Sequence, residues 1–181
     1  INEFMKKNKK LLFLVNDLNF FISHRLSIAE TAKIKGFDVV IGYGALGDAN
    51  LDLLEKKGFK LNFVPMQRGG INPLKELRTL FCIWSFFKKE KPDIVHLVTI
   101  KPYLYGGIIS RLRAVPNLVS AVSGLGFLFT NKNLKNQFLR FLLYPIYCFA
   151  FNHMNQKIIV QNQEDAELLK KWGVLNFNNI F

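Results

Sequence analysis

Cysteine is nearly missing from this chain: Cys82 and Cys148 are the two among 181 residues. Both sit in apolar helical runs at no metal-ligand spacing, which argues against a disulfide framework or thiolate metal centre and for structural thiols in a reducing compartment. Histidine is almost as scarce, and its three copies are too scattered to form a metal site by spacing. No glycine-rich turn follows the first apolar run; Asn16-Asp17-Leu18-Asn19-Phe20-Phe21 stands where a dinucleotide fold would want Gly-x-Gly-x-x-Gly. That counts against an NAD-dependent enzyme and against a nucleotide-sugar epimerase. A Walker A loop is missing as well. No apolar run is long. Leu11–Val15 is too short for the core of a signal peptide, and Phe138–Phe151, interrupted by Arg140 and Pro145, falls short of the ~20 residues a transmembrane helix needs.

Acidic residues are also few, 13 Asp and Glu against 25 Lys and Arg, giving a net charge of +12 and a pI of about 9.8. An anionic partner follows: a phosphorylated ligand, an anionic membrane or nucleic acid. Phenylalanine is abundant, with 18 copies. Phe interleaved with Lys and Arg suits a membrane interface, where rings enter the headgroup zone and cations meet lipid phosphates; the plainer alternative is that these rings fill a core. Half of the chain is hydrophobic, enough for one domain with a sizeable core. Ile1-Asn2-Glu3-Phe4, ahead of Met5, is expected to be an expression scar, leaving 5–181 as a single domain.

Apolar runs of strand length alternate with helical patterns. The expected strands are Leu11–Val15, Val39–Ile41, Leu61–Val64, Ile94–Val98, Asn117–Val122 and Lys157–Val160. Asn16–Phe21 reads as a loop, with Ser23 capping a helix whose first turn holds His24 and Arg25 and which stops at Gly36. Asp48 opens a helix carrying Leu51 and Leu54. Asn72 caps another with Pro73 in its first position, running to about Lys91. Pro102 leads into a helix over 103–113. Gln137–His153 forms a long helix bent near Pro145, and Glu164–Trp172 a last one. This alternation implies an α/β fold with a parallel sheet and right-handed crossovers.

In such sheets ligands bind beyond the carboxyl ends of the strands. Thr99 and Lys101 fall there after the run Ile94–Val98, with His96 close behind; the plain reading is a core histidine and a solvated lysine. Arg68 follows the third strand. His24 and Arg25 at a helix start would gather cations and free N–H groups for an anion. Gly69-Gly70 and Gly124/Gly126 can let backbone N–H groups approach phosphates, although ordinary turns explain each pair by itself.

Five stretches taken together carry a family resemblance: Phe21-Ile22-Ser23-His24-Arg25-Leu26, Gly70–Arg78, Lys91–Pro102, Ser123-Gly124-Leu125-Gly126, and Gln161-Asn162. They resemble the N-terminal half of bacterial GT-B glycosyltransferases of family 4. The resemblance is nearest to enzymes that extend polyprenyl-diphosphate-linked oligosaccharides in capsule, O-antigen or N-glycan synthesis. It runs from Met5 to about Gly173.

The resemblance implies two Rossmann-like domains across a cleft, of which this chain supplies the acceptor side. The donor domain, with its Glu-x7-Glu-type motif, is expected to be absent, and the isolated half to be inactive. The implied reaction is sugar transfer from a nucleotide-sugar substrate, commonly with retention, with no cofactor and no essential metal. His24, Arg25, Arg68 and Lys101 become candidates for binding the acceptor diphosphate, and Asn16, Asp17, Ser123, Gly124 and Gly126 for lining the cleft; no general base is named. Implied partners are the donor domain, a polyprenyl-linked glycan and an anionic membrane, with no nucleic acid. Lys6–Lys10, Leu80–Lys91 and the Gln137–Phe151 helix would face that membrane, at the cytoplasmic side. A basic, non-catalytic α/β module binding nucleic acid or membrane is the alternative.

Overall fold

A computed structural model describes residues 8–66, 72–123 and 134–174. Residues 1–4, expected to be an expression scar, and Lys6-Lys7, Arg68, Gly69-Gly70, Gly124 and Gly126 lie outside the described residues. Six parallel strands form one sheet: β1 (Lys10–Asp17), β2 (Asp38–Ala45), β3 (Lys60–Phe63), β4 (Ile94–Val98), β5 (Asn117–Val122) and β6 (Gln156–Val160). Their order is β3-β2-β1-β4-β5-β6. The chain winds outward in both directions from β1, so the direction reverses between β1 and β4 and opens a crevice at their carboxyl ends.

The twofold period of the strands feeds two cores. Leu12, Leu14, Val95 and Leu97 point to one face and pack with Ile83, Phe87, Tyr103 and Tyr147. Leu11, Phe13, Val15 and Val98 point to the other and pack with Phe21, Ala29, Ala32 and Leu54. Burial on both faces explains why β1 reads as a continuous apolar run. Among the described residues the helices are α1 (Leu18–His24), α2 (Leu26–Ile34), α3 (Leu51–Lys56), α4 (Pro73–Glu90), α5 (Gly107–Leu112), α6 (Leu134–Phe151) and α7 (Gln163–Lys171). A π-helical turn, Pro102–Gly106, leads into α5. At Gly107 an added Cβ would lie 2.7 Å from the Ala150 carbonyl, so glycine lets α5 approach the backbone of α6.

Two helix starts differ from the sequence reading. Asn16–Phe21 is not a loop: the Asp17 carboxylate accepts from the N–H groups of Asn19 (2.8 Å) and Phe20 (3.2 Å) and starts α1 directly from the strand. Ser23 caps nothing; its hydroxyl donates back to the carbonyls of Asn19 and Phe20. Likewise α3 begins at Asn50, whose side chain accepts from Leu53 N–H at 3.1 Å, rather than at Asp48. In both cases an Asp or Asn placed closer to the apolar spacing is the better cap. The Asn72 cap and the first-turn Pro73 of α4 stand as expected.

Candidate functional site

The sequence brings four predicted positions to the carboxyl edge of the central strands. Asn16 and Asp17 close β1, Lys101 follows β4, and Ser123 follows β5. Asn16 is buried and its Oδ1 has no hydrogen-bond partner among the described residues. On the neighbouring strand, Val98 pairs with Val15, and the residue after it is Thr99. Its φ of +75° lies in the left-handed region, which a β-branched side chain enters only under strain. The Thr99 Oγ1 is buried and likewise unpartnered, while its carbonyl accepts from Tyr103 N–H at 3.0 Å and starts the π-helical turn. Strained backbone, a π turn and two orphaned polar atoms thus share the switch point, features that cluster at functional sites.

Lys101 is held tightly there. Its Nζ lies 2.6 Å from Glu76 Oε1, and the Tyr105 hydroxyl donates to Glu76 Oε2 at 2.7 Å. Burial first, and then the Glu76 carboxylate, push the Tyr105 phenol well above its ordinary pKa, so it stays protonated and donates. Sequence reading missed Glu76 and Tyr105. The available signals were the i, i+4 spacing of Lys101 and Tyr105, which puts them on one helical face, and an acid in the first turn of α4. Beside this cluster a pocket of about 350 Å³ is lined by Gly44, Pro65, Met66, Lys75, Glu76, Arg78 and Thr79, along with Phe63. Thr79 donates to the Pro65 carbonyl at 2.5 Å and pins α4 to the end of β3.

His24 and Arg25 lie elsewhere. His24 closes α1 and Arg25 occupies the break before α2, so the Arg25 charge sits at a helix C-terminus, where it suits the macrodipole. The seven residues of α1 carry them roughly 10 Å along the helix from the sheet edge. The His24 ring stacks on Phe20 at 4.2 Å, and its Nδ1 is 2.7 Å from Ser23 Oγ. Arg25 donates from its backbone to Phe21 and from its guanidinium to His24, and its Nε is buried without a partner among the described residues. Beside it, His96 is buried against Phe13, with Nε2 unpartnered among the described residues. Burial, assisted by the Arg25 charge, pushes the His96 pKa down to about 4, so the ring is neutral near pH 7. His96 pairs in register with Phe13, four residues before Asp17, which places it mid-sheet rather than at the crevice.

The description of a glycosyl transferase 4-like family matches residues 10–162, which span every strand. The chain belongs to that family. It is similar to an N,N'-diacetylbacillosaminyl-diphospho-undecaprenol alpha-1,3-N-acetylgalactosaminyltransferase of Campylobacter jejuni, 24% identical over 67% of this chain and 32% of that protein. It is also similar to a UDP-Gal:alpha-D-GlcNAc-diphosphoundecaprenol alpha-1,3-galactosyltransferase of Escherichia coli, 31% identical over 60% of this chain and 27% of that protein. Among solved structures, a glycosyltransferase of Rickettsia africae shares the fold, with a TM-score of 0.66 and 17% identity over 96% of this chain and 42% of that one. The chain therefore spans about a third of the length of the relatives it matches. Its Rossmann-like parallel sheet is the α/β fold that the resemblance to GT-B glycosyltransferases implied. Among the described residues, no helix is long and apolar enough to cross a membrane.

Proposed function

We propose that this chain is the acceptor-side half of a glycosyltransferase that moves a hexose-type sugar from a nucleotide-sugar donor to a polyprenyl-diphosphate-linked glycan, in surface polysaccharide or glycan synthesis. The observation that carries this reading is Lys101, anchored at the switch-point crevice beside a pocket whose wall bears Lys75 and Arg78. A diphosphate needs fixed positive charge where water is partly excluded, and the crevice offers it next to polar groups able to meet sugar hydroxyls. The named acceptors of the two relatives join a sugar to a prenol through a diphosphate.

In this reading Lys101, with Arg68, meets the acceptor diphosphate. Asn16, Asp17, Ser123, Gly124 and Gly126 line the cleft. Arg25 adds positive potential from a distance, and His24 stacks on Phe20 beside it. A second Rossmann-like domain of the same polypeptide supplies the nucleotide-sugar contacts, so this half has no transferase activity by itself. No cofactor takes part; the nucleotide sugar is a substrate. The domain works at the cytoplasmic face of a membrane, held peripherally by basic and aromatic side chains.

The test is transfer from a panel of nucleotide sugars to polyprenyl-diphosphate-linked acceptors in membranes, with the whole polypeptide compared with this chain. Transfer by the whole protein, none by this chain, and a loss of at least about tenfold with K101A is the expected result, with a smaller loss in R25A, whose charge acts from a distance. Transfer by this chain unaided, or full activity in K101A, overturns the reading.

A further inference from the structure

Glu76 and Lys101 come from different elements and are 25 residues apart, yet Nζ and Oε1 meet at 2.6 Å with 13% and 19% of the two side chains exposed. The second carboxylate oxygen is taken by Tyr105 at 2.7 Å. Both oxygens of one carboxylate are therefore committed to one face of the crossover that follows β4. The local backbone is arranged to make this possible. Thr99 turns the chain through a left-handed φ of +75° directly after the strand, and the π-helical turn then carries Tyr105 past Lys101. A strained residue and a π turn cost free energy, and what they deliver is this clasp.

Stability alone does not explain a partly buried charged pair, since a well-packed apolar pair of similar volume is often equally stable. We propose that Glu76 is the positioning residue for Lys101: it holds the ammonium at the switch point and sets how much of its positive charge an anionic ligand in the crevice receives. This rests on the reading of Lys101 as the diphosphate-binding cation. Tyr105 is the modulator. By donating to Oε2 it spreads the carboxylate's negative charge and loosens Glu76's claim on the ammonium, so an arriving diphosphate competes for Lys101 on better terms.

The two partners therefore act in opposite directions, which a purely structural clasp would not produce. Glu76→Gln keeps the shape and an acceptor for Lys101 but removes the negative charge. Tyr105→Phe keeps the ring but leaves Oε2 unpaired and the carboxylate a stronger competitor. The probe is inorganic pyrophosphate, titrated by calorimetry at low salt into the 181-residue chain, with thermal melts in parallel. E76Q is expected to bind on the order of fivefold tighter and Y105F a few-fold weaker. The melting temperature of E76Q falls in buffer and rises more than that of the parent when pyrophosphate is added, because the ligand replaces the missing counter-charge.

Weaker or unchanged binding by E76Q overturns the positioning role. Should E76Q give no cooperative melt, Y105F decides by itself, and tighter or unchanged binding there overturns it. Lys101→Met separates the two levels: if it leaves pyrophosphate binding intact, the diphosphate reading of Lys101 fails, whereas a loss in K101M with no opposed response in the other two removes only the role of Glu76.

Discussion

His96 and Phe13 face each other ring to ring, with 5.0 Å between centroids, on the two strands that flank the switch point. The imidazole is buried, neutral, and within reach of the Arg25 charge, and both effects disfavour a proton on it.

That contact makes stability depend on pH. The folded-state pKa is depressed from 6.5 to about 4, so the unfolded chain binds the proton more readily. Stability is fully present above about pH 6.5, declines as the pH falls, and levels near pH 4, with a total loss of roughly 3 kcal/mol for this group. Urea unfolding across that range checks it. The H96Q variant should start less stable and show a flatter decline; an unchanged slope would contradict the assignment.

Asp17 gives a second expectation. Its carboxylate supplies acceptors to two N–H groups at the start of α1, where the helix leaves β1 without a loop. D17A should cost about 1 kcal/mol, and D17N or D17S much less, since each retains a capping oxygen. Chemical denaturation of the three variants tests the order.

Gly44 sits where three backbones converge at the carboxyl edge. An added Cβ would stand 2.5 Å from the Met66 carbonyl and 2.8 Å from that of Asn16. Neither atom is the end of a flexible side chain, so G44A must shift the end of β2. A destabilisation of about 1–3 kcal/mol is expected, as for overpacked cores. The variant should also weaken pyrophosphate binding, because Gly44 lines the pocket beside Glu76. Parent-like stability and binding would show that the strand ends yield freely.

Membrane contact is the fourth. Leu74, Leu77 and Phe81 follow one another at helical spacing on α4 and are 78%, 62% and 69% exposed, and Phe138 and Phe141 on α6 are 69% and 78% exposed. With a net charge of +12, the chain should co-sediment with anionic vesicles and release as salt rises. Glu in place of Phe81 or Phe141 should lower binding on the order of tenfold, the scale of one buried aromatic ring. Absence of binding at low salt, or equal binding to random DNA and to vesicles, would count against a membrane partner.

Much of the architecture was legible because period and punctuation are local. The six apolar runs became the six strands, and Asn72-Pro73 marked the start of α4. The first helix was less legible. Asp17 and Ser23 are both competent caps, and only the packing of Leu18 and Phe21 into the core selects the earlier one. That choice moves His24 and Arg25 from a helix start at the sheet edge to a helix end over the middle strands.

By itself, the sequence determined the alternation of strands and helices, the strong positive charge, and the motifs that mark the family. These depend on residue type and near-neighbour spacing. Only the tertiary structure decided which polar groups meet. Lys101 reads as a free loop cation until β4 and α4 are packed together and Glu76 appears beside it. His96 keeps the core place its plain reading gave it, and only strand register shows that it stands opposite Phe13. Pairing between residues tens of positions apart is fixed by register and helix packing, and local sequence carries no direct record of either.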